Sequence, residues 1–276
     1  MNRIKTVVDY ALDSGLYVIM DMHHDGSKDV TGKWIDISLT EGEDRTAMLN
    51  KFSAVWTQIA TTFAGYDQHL IFESMNEVMI GNSYGYTSSL AYENINALNQ
   101  TFVNAVRSVD GNSDRCLLIP GYNTNIDLTI SGLFKKPTDT TANRLMLSVH
   151  YYDPYDFTLN EQGTAEWDEE TELAYMQGQM QKISAFANGL NMPVIIGEYG
   201  AVNKENDFNR IIYLSVLNRT AETYNIVTAY WDNGYTGQYG FALFDRNSNM
   251  IIESGTELIN AIMNKCCLLY TSPSPR

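Results

Sequence analysis

Two glutamates in this 276-residue sequence stand where a carboxylate can be put to chemical use. The stretch Leu70-Ile71-Phe72-Glu73-Ser74-Met75-Asn76-Glu77 carries an apolar run into an Asn-Glu pair, and Pro193-Val194-Ile195-Ile196-Gly197-Glu198 has the same shape before Tyr199-Gly200. Each reads as a buried strand with a carboxylate at its C-terminal tip. A lone glutamate so placed is more often structural than catalytic. Two of them, each after its own apolar strand, favour a pair that works across a cleft, one carboxyl group handling the proton and the other attacking or activating water at a glycosidic bond.

Other strand tips bring further polar groups. Leu16–Met22 delivers His23, His24 and Asp25; Leu145–Val149 delivers His150 and Tyr152; Ile226–Tyr230 delivers Trp231 and Asp232. Side chains alternate along a strand, so Ile71, Glu73, Met75 and Glu77 share a face, as do Ile19, Asp21 and His23, then Ser148, His150 and Tyr152, then Val194, Ile196 and Glu198. Glu73 and Asp21 lie deeper on that face and read as structural support. Buried there, they need protonation or a cation from strands that precede this sequence. Adjacent histidines on a strand point to opposite faces, so His23 and His24 do not share a metal ion; hydrogen bonding to a sugar or to a carboxylate suits them better. Trp231 is either core filler or the floor under a sugar ring. Trp34, Tyr84, Tyr86, Tyr155, Phe157, Trp167, Tyr235 and Tyr239 are aromatic loop residues, each weak evidence alone.

The elements that must position these groups alternate. A helix over Met1–Asp13 has Ile4, Val7, Val8 and Leu12 on one face. Helices marked by Met48, Phe52, Val55, Ile59 and Phe63, by Ile95, Leu98, Phe102, Val106 and Val109, by Leu173, Met176, Met180 and Ile183, and over about 206–224 then separate six apolar strands. Strand–helix alternation gives a parallel sheet with helical crossovers. Polar and aromatic residues gather after the strands, and no Gly-rich phosphate loop follows any of them, which favours a (β/α)8 TIM barrel over a doubly wound nucleotide-binding sheet. Six strands are two short of eight, so the expectation is an incomplete α/β barrel lacking its first two strands. Residues 1–265 then form one catalytic domain. The segment 266–276 reads as an unstructured tail, non-native read-through whose letters resemble a sequencing-adapter translation.

Composition excludes several classes. A net charge of −15 argues against a nucleic-acid partner. No apolar run is long enough to span a membrane, and the first residues read as an amphipathic helix rather than a signal peptide. Three cysteines provide no disulfide framework and no CxxC metal pair, and Cys116 reads as an inert core thiol. Neither a metal nor a cofactor is expected.

The ordered set Asp-Met-His23-His24, Phe72-Glu-Ser-Met-Asn76-Glu77, Ser-Val-His150-Tyr-Tyr152, Ile196-Gly-Glu198-Tyr-Gly and Tyr230-Trp231-Asp resembles glycoside hydrolase family 5, the cellulase family, from residue 3 to about 263. The resemblance implies a secreted, retaining endo-β-1,4-glucanase, monomeric when complete, that acts on cellulose, xyloglucan or mixed-linkage glucan; a β-mannanase or a catalytically impaired glucan-binding fragment are the alternatives. It implies Glu198 as nucleophile and Glu77 as acid/base, about 5–5.5 Å apart. Asn76 would bind the sugar 2-hydroxyl, His23 and His24 sugar hydroxyls, and Trp231 would be the platform, while His150 flanks the acid/base and Tyr152 hydrogen-bonds the nucleophile. Val78 stands where many relatives have Pro. The family's second-strand arginine, which contacts the nucleophile, has no counterpart here, and its loss is expected to lower activity.

Overall fold

A computed structural model describes residues 1–26, 32–81, 84–85 and 88–264. Tyr86, Cys266, Cys267 and the segment read as a tail lie outside the described residues. The chain divides into two compact units, Met1–Val149 with Ala185–Val194, and His150–Ser184 with residues 195 onward.

The first unit contains α1 (Asn2–Asp13), β1 (Val18–Asp21), α2 (Glu43–Thr62), β2 (Leu70–Glu73), α3 (Ser89–Arg107), β3 (Leu117–Pro120), α4 (Ile126–Thr129) and most of β4 (Leu145–Tyr151). β1 to β4 pair in parallel, in registers that include Val18↔Leu70, Phe72↔Leu117 and Leu117↔Leu145. The second unit continues with α5 (Tyr155–Thr158), α6 (Glu169–Gly189, whose last turn belongs to the first unit), β5 (Val194–Tyr199), α7 (Asp207–Thr223), β6 (Ile226–Thr228), β7 (Phe244–Asp245), β8 (Met250–Ile251) and α8 (Gly255–Asn264). Strand order in the main sheet follows the sequence, β1 to β6. The sequence pattern therefore located all six strands and the long helices α2, α3, α6 and α7, but not the short α4 and α5.

β2 and β3 show why the apolar runs are continuous rather than alternating. Leu70, Phe72, Leu117, Leu118 and Ile119 are all fully buried, as parallel strands covered on both faces must be. Trp56 of α2 is also fully buried, with its ring 4.5 Å from Phe102 of α3 and 5.6 Å from Phe72 of β2. Its Nε1 donates to the Ser74 carbonyl at 3.1 Å, so one side chain both fills the core and fixes the backbone just beyond β2.

Polar side chains tie the strand ends to the helices. Buried Asn99 of α3 accepts a hydrogen bond from the Ser74 hydroxyl (2.6 Å) and donates to the Pro120 carbonyl (2.9 Å), clamping the tips of β2 and β3 together. At the other end of those strands, buried Arg115 donates to the carbonyls of Asp67, Leu70, Phe63 and Tyr66 and stacks on the Phe72 ring. Burial pushes this guanidinium down to about 10, yet its protons are met by backbone oxygens left open after α2.

Four sequence expectations change. Of the apolar face read in α1, only Val8 is buried, while Ile4 and Val7 are 46% and 57% exposed. Helical spacing decides which side chains share a face, not whether that face is covered. Cys116 precedes β3 and is half-buried rather than a core thiol. The loop aromatics Phe157 and Trp167 are core residues, both packed on Tyr213. The β7–β8 hairpin was not anticipated. Two-residue strands leave almost no periodicity, and the signal lies instead in the turn, where Asp245 accepts from the Asn247 N–H and the Ser248 hydroxyl and Asn249 takes φ 57°.

Two of these buried contacts are open to direct test. Asn99→Leu leaves a buried hydroxyl and a buried carbonyl without a partner and should lower unfolding stability by about 2–4 kcal/mol in urea titrations. Arg107 and Asp139, with side chains 6% and 4% exposed, form a bidentate pair at 2.8 Å. Burial pushes the Asp139 carboxyl up, but Arg107 and the Thr141 and Thr140 N–H groups outweigh it and leave the carboxyl below its ordinary 3.8. A carboxylate depressed on folding stabilises above its unfolded pKa, and that contribution is lost as pH falls through the folded value. Asp139→Asn should therefore cost about 3–5 kcal/mol at pH 7. The gap to the parent in denaturation midpoint should close as the pH is taken below about 4.

Candidate active site

In the first unit the candidate residues gather at the C-terminal ends of β1 and β2. β2 ends at Glu73 and the chain then turns. The Val78 N–H donates to the Asn76 carbonyl at 3.0 Å, which places Glu77 at the centre of a tight bend. Strand parity thus stops four residues short of Glu77, and the bend rather than the pleat aims its side chain. Val78 itself is 3% exposed, and its carbonyl accepts from the Asn123 N–H at 3.0 Å. A proline at 78 would lack the N–H that closes this bend, so the departure from the family pattern alters how Glu77 is held. A Cβ on Gly26 would lie 2.6 Å from Val78 Cγ2, so the loop after β1 can approach only as glycine.

The two deeper carboxylates each have a hydrogen-bond partner within the unit. Asp21 and Glu73 are register partners on β1 and β2. Asp21 Oδ2 is 2.8 Å from His23 Nδ1, and Glu73 Oε1 accepts from the Ser148 hydroxyl at 2.5 Å. His23 Nε2 lies 3.4 Å from Asn76 Nδ2. His23 and His24 follow β1 rather than extending it, so they do not point apart as strand neighbours would; their rings meet edge-on at 4.8 Å. Trp34 is half-buried, its Nε1 donating to Asp25 and Lys51 sitting 4.2 Å above its ring.

In the second unit Glu198 lies in β5, one residue from its end. The Tyr152 hydroxyl donates to Glu198 Oε2 at 3.1 Å, and His150 Nδ1 lies 3.5 Å from the same oxygen. These three side chains meet although they come from two strands. Trp231 follows β6, and its N–H donates to the Tyr199 carbonyl at 2.9 Å. Next to it, Asp232 accepts from the Gly234 and Leu243 N–H groups at 2.6 and 2.9 Å and lies 3.5 Å from the Arg246 guanidinium, so the segment leading into the β7–β8 hairpin braces the loop that carries Trp231.

Sequence reasoning missed the frame behind Glu198. Arg210 of α7, 1% exposed, donates to the Ala201 carbonyl at 3.1 Å and to the Tyr230 hydroxyl at 3.4 Å. Tyr230 in turn donates to the Phe241 carbonyl at 2.8 Å. Burial, with Arg210 opposing it, pushes the Tyr230 hydroxyl up to about 12, which keeps it a donor. Phe241 packs edge-on against Tyr152 at 6.4 Å. The only signal in the sequence was an arginine on an otherwise apolar helical face, at a position that must be buried and so must be satisfied.

Comparison with known proteins puts this arrangement in context. The model of the family Cellulase (glycosyl hydrolase family 5) matches residues 1–237. The chain is 38% identical to Endoglucanase A of Paenibacillus barcinonensis, an alignment covering 95% of this chain and 71% of that protein. Among solved structures, a family 5 xyloglucanase from Paenibacillus pabuli superposes with a TM-score of 0.89 at 41% identity, covering 96% of this chain and 79% of the other. A mutant glycoside hydrolase 5 lichenase from Caldicellulosiruptor sp. F32, in complex with cellotetraose, gives 0.84 at 32% identity, covering 96% and 73%. The chain spans only 55% and 54% of two Ruminococcus albus endoglucanases that it matches. These likenesses identify the six-stranded sheet as that of an incomplete (β/α)8 barrel.

A Cβ at Gly200 would lie 2.9 Å from the Phe241 ring and 3.2 Å from Tyr230. Gly200→Ala should therefore push Phe241 against Tyr152, costing about 1–3 kcal/mol of stability and lowering kcat more than it raises KM. Thermal unfolding and steady-state kinetics on a soluble β-glucan check both parts.

Matched by the family model over most of its length, and by endoglucanases at up to 38% identity, the chain belongs to glycosyl hydrolase family 5 and is a glycoside hydrolase of the endoglucanase group.

Proposed function

We propose that this chain cleaves internal β-1,4-glucosidic bonds of cellulose or a related β-glucan by double displacement, with retention at the anomeric carbon. The observation that supports this best is the setting of Glu198, which has the Tyr152 hydroxyl and His150 Nδ1 on one carboxylate oxygen. Hydrogen bonds to an ionised carboxylate favour the charged form, and an ionised Glu198 attacks the anomeric carbon to form a glycosyl-enzyme. Glu77 begins protonated, donates to the leaving oxygen, and then removes a proton from the water that releases the sugar. Asn76 holds the 2-hydroxyl, where a hydrogen bond strengthens as the oxocarbenium character grows. His23 and His24 bind neighbouring hydroxyls, and Trp231 underlies the ring beside the scissile bond.

The similar xyloglucanase and lichenase favour xyloglucan and mixed-linkage glucan as substrates alongside cellulose. Residues 1–265 act as the catalytic domain in this reading. A polymeric substrate places its action outside the cell.

The test is chain cleavage of carboxymethylcellulose, xyloglucan, mixed-linkage glucan and mannan by the parent protein and two variants. Glu198→Gln should abolish cleavage of every substrate that the parent attacks. Glu77→Gln should lose about 10²–10⁴-fold in kcat on polymer and much less on an aryl glycoside whose leaving group needs no proton. Equal losses on both substrates would remove Glu77 from the acid role. Cleavage confined to mannan would replace the glucanase reading.

A further inference from the structure

We propose that Asp21 is a positioning residue that sets the orientation of the Asn76 side-chain amide through His23. The inference rests on the reading of Asn76 as the group that holds the sugar 2-hydroxyl.

The chain of contacts lies within one unit and can be followed atom by atom. Asp21 sits at the end of β1 in register with Glu73 of β2, so two carboxylates lie side by side on neighbouring strands. Each is given its own donor, Ser148 for Glu73 and His23 for Asp21. A carboxylate can only accept, so the 2.8 Å contact from Asp21 Oδ2 requires a proton on His23 Nδ1. In the neutral ring that leaves Nε2 bare. A bare Nε2 can only accept, and the atom it faces at 3.4 Å is Asn76 Nδ2. The amide nitrogen of Asn76 is therefore turned to the histidine, and its oxygen is presented away from it as an acceptor for a hydroxyl proton.

The same geometry explains why a histidine stands between the two residues rather than a direct contact. Asn76 can be flipped at almost no steric cost, because its two ends have nearly the same shape. Packing cannot choose between them, so only a neighbour with a fixed donor or acceptor can. The imidazole passes on the polarity of Asp21 as a definite tautomer, the service that an orienting carboxylate performs for a catalytic histidine.

The experiment uses the whole chain with ¹⁵N-labelled histidine. Long-range ¹H–¹⁵N spectra at neutral pH should show His23 protonated at Nδ1 in the parent, and at Nε2 or as a mixture in Asp21→Asn. In kinetics, Asp21→Asn should lower kcat about tenfold or more on an aryl β-cellobioside with little change in KM. The loss should disappear on the analogue that lacks the 2-hydroxyl at the scissile sugar. The double variant Asp21→Asn/Asn76→Ala should be no slower than Asn76→Ala alone. A parent His23 protonated at Nε2 overturns the proposal, as does a double variant whose losses multiply. Because the tautomer is read without substrate, failure of the glucanase reading would be separable from failure of this one.

Discussion

A carboxylate at the end of an apolar strand is partly or wholly withdrawn from water, and a donor that meets it offsets that loss. That arrangement recurs at Asp21, Glu73 and Glu198, and each is answered by a side chain brought in from elsewhere in the chain or from the same strand's extension: His23, Ser148 and Tyr152. The β4 strand and the residue after it supply two of these donors, Ser148 to Glu73 in the first unit and Tyr152 to Glu198 in the second, and His150 as well. Much of the polar order at the strand ends can be traced to this demand. Asn99 and Arg210 extend it to the backbone, meeting carbonyls that no strand partner reaches.

The strands and helices were legible because burial on both faces leaves continuous apolar runs, and because the crossover helices are long enough to show their period. Glu77, Asn76, His150, Tyr152, Glu198, His23, His24 and Trp231 stood out as candidates for a related reason: a polar or aromatic residue directly after such a run has few structural uses. What the sequence did not disclose depended on contacts rather than on pattern. Strand parity placed Glu77 on the pleat, whereas a bend closed by the Val78 N–H sets its direction. Parity likewise separated His23 from His24, whose rings touch once the strand has ended.

Charge pairing was the hardest part to anticipate. Asp21 reads from sequence as needing protonation or a cation from elsewhere, and the structure adds a contact with His23, two residues away. Strand parity already placed His23 on the face of Asp21, but it did not show that the two side chains meet. The β7–β8 hairpin, Tyr230 and Phe241 escaped notice because loop segments in which no period operates carry them, with Tyr230 and Phe241 themselves 11 residues apart.

Gly26 and Val78 meet so closely that neither position is free of the other. Diversifying position 26 alone in a directed-evolution library would yield mostly inactive clones, and their failure would be blamed on the loop rather than on the turn at Glu77. Randomised together, with a smaller side chain at 78, the two sites open a route by which the bend that carries Glu77 could be reshaped from the loop after β1.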